Sequence, residues 1–136
     1  MSTAAESRPS VQPRLRARAL VILSAVAAGL AVWAVAVPIV GADLTVGAAA
    51  EPQHVGPLAV ILVSLLAGLA GTGLVTLLER ATRRPRTAWL IASLAVLLLS
   101  LAGPLGAASV AATVALAGMH LAVGLSIAVG LARTLP

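Results

Sequence analysis

Cysteine is absent from the 136 residues, which excludes disulfide frameworks, thiol catalysis, Cys-ligated metals and quinone–disulfide chemistry. Phenylalanine and tyrosine are absent as well, and Trp33 and Trp89 are the only Trp, so no bulky aromatic core can form. Lysine is missing too: all nine basic residues are arginine. Acids are scarce, with only Glu6, Asp43, Glu51 and Glu79 present. Charged residues make up 10% of the chain, against about 25% in soluble domains. What remains is Ala, Val, Leu, Ile and Gly, at 60% hydrophobic content and a mean hydropathy of +1.09. That composition is of an integral membrane protein, and its small side chains suit thin helices packed closely in lipid.

The net charge of +5 does not argue for nucleic acid. A nucleic-acid module needs a basic face on a folded domain, whereas here every arginine flanks an apolar run. Those runs set the architecture. Residues 1–18 are rich in Ser, Pro, Gln and Arg, lack helical periodicity and read as a disordered basic tail. Residues 19–40 contain no charge and reach about 33 Å as a helix, enough for a hydrocarbon core of about 30 Å. A secretory signal would have a shorter apolar core, so the small residues at 34–36 and 41–42 are not read as a cleavage site. Pro38 should bend or end this first span.

The following stretch carries Asp43, Glu51 and His54, no arginine, and the turn punctuation of a loop. A second span covers 57–78, a third about 87–103 with Trp89 at headgroup level, and a fourth 107–132, leaving 133–136 as a short tail. Between the second and third lies Glu79-Arg80-Ala81-Thr82-Arg83-Arg84-Pro85-Arg86. Arg80, Arg83, Arg84 and Arg86 resist translocation, so they are the topology determinants that hold this turn in the cytoplasm. With every arginine on the same side, the sequence predicts an all-α integral membrane four-helix bundle, both termini cytoplasmic, in the cell (inner) membrane. Arg-bounded runs closing on Pro38 to Gly41 and on Pro104 to Gly106 echo each other in the manner of a parallel repeat, although two spans obeying the same flanking rules explain the echo better.

Two features inside the spans carry candidate positions. Ser64, Gly68, Thr72 and Thr76 recur every four residues and so share one helix face, a seam where another backbone can approach and hydroxyls can bond across helices. His120 is the ionisable residue well inside a run. Such residues are functional candidates by default, yet a neutral imidazole is also satisfied by one hydroxyl or freed carbonyl. A single histidine cannot build a metal site alone, and His54 is expected on the other side of the membrane. Asp43, Glu51 and His54 are read as solvated loop charges. No Ser-His-Asp set, membrane carboxylate pair or Walker pattern is present, and Gly68, Gly71 and Gly73 follow no strand, so they are packing residues.

Ala34 to Pro38 through Gly41 to Val46, the Leu78-Glu79-Arg80 to Arg86 turn followed by Trp89, Leu101 to Gly106, and Met119-His120-Leu121 together resemble an uncharacterised actinobacterial family of small four-span membrane proteins, a domain of unknown function. That resemblance implies the four-span fold and brings no catalytic residue. In size and span number the chain is also similar to small multidrug transporters, which depend on a membrane-embedded glutamate. The runs hold no acid, which counts against drug–proton antiport.

The expectation is therefore a non-enzymatic accessory or interaction subunit without a cofactor or metal. Its partners would be the lipid bilayer and a second copy or another membrane protein, and no nucleic acid. The alternative is a small transporter or channel component with a polar path lined by His120, Ser64, Thr72 and Thr76.

Overall fold

The computed structural model describes residues 11–47 and 52–136. Four helices carry the chain: α1 (Val11–Ala36), α2 (Pro57–Ala81), α3 (Pro85–Ser100) and α4 (Val110–Ala132). A two-strand hairpin, β1 (Thr45–Val46) and β2 (Gln53–His54), joins α1 to α2, and a short 3₁₀ turn (Gly103–Gly106) joins α3 to α4. All four helical segments are long and apolar enough to cross a membrane. The third needs the 3₁₀ turn to do so: α3 has 16 residues, or about 24 Å, and the apolar segment continues to Gly106. α1 packs against α4 and α2, and α3 against the same two helices.

Helix boundaries follow local chemistry. Pro57 and Pro85 open α2 and α3 at first-turn positions, where a missing N–H is no loss. Ser109 caps α4 by accepting from the Ala112 N–H at 3.1 Å. α1 stops at Ala36, two residues before Pro38, and Gly41 then turns the chain back at a φ of 73°, a conformation glycine adopts without steric cost.

Several boundaries differ from the sequence reading. α1 starts at Val11, so residues 11–18 of the expected tail are helical; residues 1–10 of that tail lie outside the described residues. The arginines at 14, 16 and 18 hide this because charge masks periodicity, while the turn of helix they form continues the span. α2 runs to Ala81, which takes Glu79 and Arg80 out of the turn and leaves 82–84 between the helices. α1 closes before residue 40, and α4 opens at Val110 rather than 107.

The two ends of the bundle have separate cores. At the hairpin end, Ala36, Leu44, Val60, Ala112, Leu116 and Met119 pack together. The hairpin is tied down by Trp33 Nε1 donating to the Val55 carbonyl at 2.9 Å and by a bridge from Val46 to Ala107. At the other end, Ala25, Val75, Trp89, Ile127 and Leu131 form the second cluster.

Glycine sets the helix spacing. A Cβ built on Gly68 would stand 2.8 Å from Ile22 of α1, one on Gly130 2.5 Å from Val21, and one on Gly124 2.6 Å from Leu97 of α3. Gly68→Val should therefore destabilise the bundle by about 1–3 kcal/mol through overpacking. Gly73→Ala, in open space, should be neutral or stabilising by up to about 1 kcal/mol. Unfolding of both variants in detergent micelles measures the contrast.

Candidate functional site

The most polar part of the interior is at the end of the bundle away from the hairpin. Arg18 is 7% exposed and reaches from α1 to three acceptors. Its Nη2 donates to Glu79 Oε2 at 2.9 Å, Nη1 to Thr76 Oγ1 at 3.0 Å, and Nε to Thr134 Oγ1 at 3.3 Å. One guanidinium thus ties α1 to the last turns of α2 and to the residues just past α4. Glu79 Oε1 is buried without a hydrogen-bond partner; Arg14 Nη1 stands 3.8 Å away, an ion-pair distance too long for a hydrogen bond. Sequence reasoning missed this centre by assigning Arg18 to a tail and Glu79 to a turn. The signal was present: Arg14 and Arg18 are four apart, and Glu79 is three residues beyond Thr76 on the seam face.

The seam itself faces α1. Ser64 is 2% exposed, opposite Gly29, whose built Cβ would lie 3.4 Å from the Ser64 hydroxyl. Gly68 receives Ile22. Thr72 donates to the Gly68 carbonyl at 2.9 Å and Thr76 to the Thr72 carbonyl at 2.8 Å. These hydroxyls are spent inside their own helix, and Thr76 also accepts from Arg18.

His120 lies elsewhere. It lines a crevice of about 370 Å³ between α2, α3 and α4, together with Gly71, Trp89, Ser93, Val96 and Gly124. Val63, Ala67 and Ala70 of α2 and Val96 of α3 form its exposed edge. Ser64, Thr72 and Thr76 do not line it, so the structure does not bring together the four residues of the alternative polar path.

The partner of His120 differs from expectation as well. Its Nδ1 is 2.7 Å from the Leu116 carbonyl of its own helix, and no neighbouring helix supplies a bond among the described residues. A carbonyl oxygen only accepts, so Nδ1 carries the proton. In the neutral imidazole Nε2 is then a bare acceptor, and no described group donates to it.

Trp89 is also placed differently. It is 3% exposed and lies inside the bundle, because Gly71 leaves room for its ring. Its Nε1 donates to the Ala128 carbonyl at 2.8 Å, which joins α3 to α4 beside the crevice.

At the hairpin, Thr45 Oγ1 donates to Asp43 Oδ1 at 2.7 Å and His54 Nδ1 sits 3.2 Å from the same oxygen. The Thr45 hydroxyl, with a smaller contribution from His54, holds the Asp43 carboxyl below its ordinary value. Glu51 lies outside the described residues. No group of three His, Cys, Asp or Glu able to hold a metal occurs among the described residues.

A family model described as a family of unknown function, DUF6069, matches residues 9–136. The chain belongs to that family. No curated protein and no solved structure matches it. For this DUF6069 chain the match spans all four helices, the hairpin and the Arg18–Glu79 centre, and assigns a role to none of them.

The two threonines of the seam separate by what they hold. Thr76→Val removes an acceptor from a buried guanidinium and should cost about 1.5–3 kcal/mol. Thr72→Val removes only a bond within its helix and should stay within about 0.5 kcal/mol of wild type. Paired unfolding curves in one detergent check the difference.

Proposed function

We propose that this multi-pass membrane protein is a non-enzymatic accessory or interaction subunit of the cell (inner) membrane. Both termini and the arginine-bearing turn would lie in the cytoplasm. The orientation is supported by the arginines: Arg14, Arg16 and Arg18 at the start of α1, Arg80 at the end of α2, Arg83 and Arg84 in the turn, Arg86 at the start of α3 and Arg133 after α4. Successive spans alternate in direction, so all of these fall at one end, and none is found at the hairpin end among the described residues.

The observation that carries the interaction reading is the crevice around His120. It opens sideways between two spans, has small residues Ala67, Ala70, Gly71 and Gly124 in its walls, and holds one bare acceptor about midway along α4. Small walls admit a helix closely, and an unpaired polar group in hydrocarbon favours a partner that supplies a bond. The occupant that fits is a transmembrane helix of a partner membrane protein presenting a hydroxyl or amide donor to Nε2. The transport alternative needs His120 to share a path with Ser64, Thr72 and Thr76; those residues face α1, so it is not adopted.

A photo-crosslinking residue at Val96, on the mouth of the crevice, should give protein adducts in native membranes, and His120→Leu should reduce them. The same probe at Val114, 66% exposed and outside the crevice, should not. A dimer-sized adduct at Val96 would identify a second copy as the partner. Lipid-only adducts at both positions would overturn the interaction reading.

A further inference from the structure

A second recess runs along the bundle between α1 and the end of α4, with a volume of about 760 Å³. It has a charged rim and an apolar floor. Arg14 stands on one side of the rim and Arg133 on the other; Leu20, Val21 and Val129 line the floor. Val21 sits over Gly130, where a Cβ would come within 2.5 Å of it, so the glycine draws the two helices together beneath the groove. From Arg14 the groove follows α1 as far as Ser24, a drop of about 15 Å along the helix. It therefore begins where headgroups lie and ends among acyl chains.

The rim has spare positive charge. The Arg14 side chain is 63% exposed and its nearest carboxylate oxygen is 3.8 Å away. The other oxygen of that carboxylate, Glu79 Oε2, is held by Arg18 at 2.9 Å. Arg133 makes no ion pair among the described residues.

We propose that this groove binds one anionic glycerophospholipid from the surrounding leaflet, its phosphate held between Arg14 and Arg133 and an acyl chain laid over Leu20, Val21 and Val129. Guanidinium groups suit phosphate oxygens because they donate two parallel hydrogen bonds, and basic pockets between spans are a known kind of lipid headgroup site. A polynucleotide or acidic peptide would satisfy the rim and leave the apolar floor in contact with nothing it could offer. A zwitterionic lipid would fill the floor but bring an ammonium group to a rim that is already cationic. The groove matches a ligand with both parts. This site is separate from the His120 crevice, and its test is independent of the interaction reading.

Native mass spectrometry and thermal unfolding of the full chain in detergent, with phosphatidylglycerol, phosphatidylcholine of the same chains, or inorganic phosphate, test the site. Phosphatidylglycerol should be retained as one bound molecule and raise the unfolding temperature, with phosphatidylcholine weaker by about tenfold. Arg14→Gln with Arg133→Gln should lose that preference. Arg80→Gln with Arg86→Gln removes the same charge at exposed positions outside the groove and should keep it. Equal retention of both lipids, equal losses in the two double variants, or a full stabilising effect from inorganic phosphate alone would overturn the proposal.

Discussion

The bundle depends on one ion pair, between a buried arginine and a partly buried glutamate. Arg18 and Glu79 are charged groups drawn into a structure that is otherwise almost wholly apolar. A charge leaves water at a cost of several kcal/mol, and only close pairing with further hydrogen bonds offsets it. Arg18 has that pairing: its donors reach Glu79, Thr76 and Thr134. Those acceptors lie on α2 and just beyond α4, so α1 is fixed in depth and rotation against both of its neighbours. Ile22 then meets Gly68, Val21 meets Gly130, and Ser64 comes opposite Gly29. Lipid tails are as apolar as leucine, so apolar contact alone would specify that register weakly.

Fixing α1 leaves the two faces of α2 with separate work. One face turns its hydroxyls and Gly68 to α1. The adjoining row, with Ala67 and Gly71, turns to α3 and α4 and walls the crevice of His120. Trp89 fills the space opened by Gly71 and bonds to α4, so α3 is attached near its start. Further along, Leu97 reaches Gly124, and both attachments line the crevice, which continues past the second to His120 and Ser100. The imidazole answers its own helix through Nδ1 and leaves Nε2 without a donor among the described residues. A polar group in a span is costly to leave unpaired, which is why the proposed role places a donor there.

The spans were legible in the sequence because hydropathy and length are properties of single segments. Pro57 marks one helix start and Pro38 marks the first helix end within two residues, whereas Pro85, read as part of the turn, opens α3. The site was only half legible. The seam residues were identifiable from spacing as a packing face, but spacing does not say which neighbour a face meets, so the alternative reading joined His120 and the seam hydroxyls in one path that the packing separates. Arg18 was read as part of a tail and Glu79 as part of a turn because charge flanking an apolar run ordinarily lies outside the membrane. Their pairing is a contact between residues 61 positions apart; spacing puts each on a helix face but does not say that the two faces meet. His120 offers a smaller case: an ordinary carbonyl four residues earlier in its own helix, that of Leu116, accepts its hydrogen bond, where a hydroxyl or a freed carbonyl was expected.

The Arg18–Glu79 pair holds the bundle in register. A double-mutant cycle of Arg18→Gln, Glu79→Gln and the combined variant, measured by unfolding in mixed micelles, tests it most directly. The account predicts that each single variant is strongly destabilised and that the double variant recovers part of the loss, with a coupling of about 1.5–3 kcal/mol. Additive losses, with no coupling between the two positions, would contradict it.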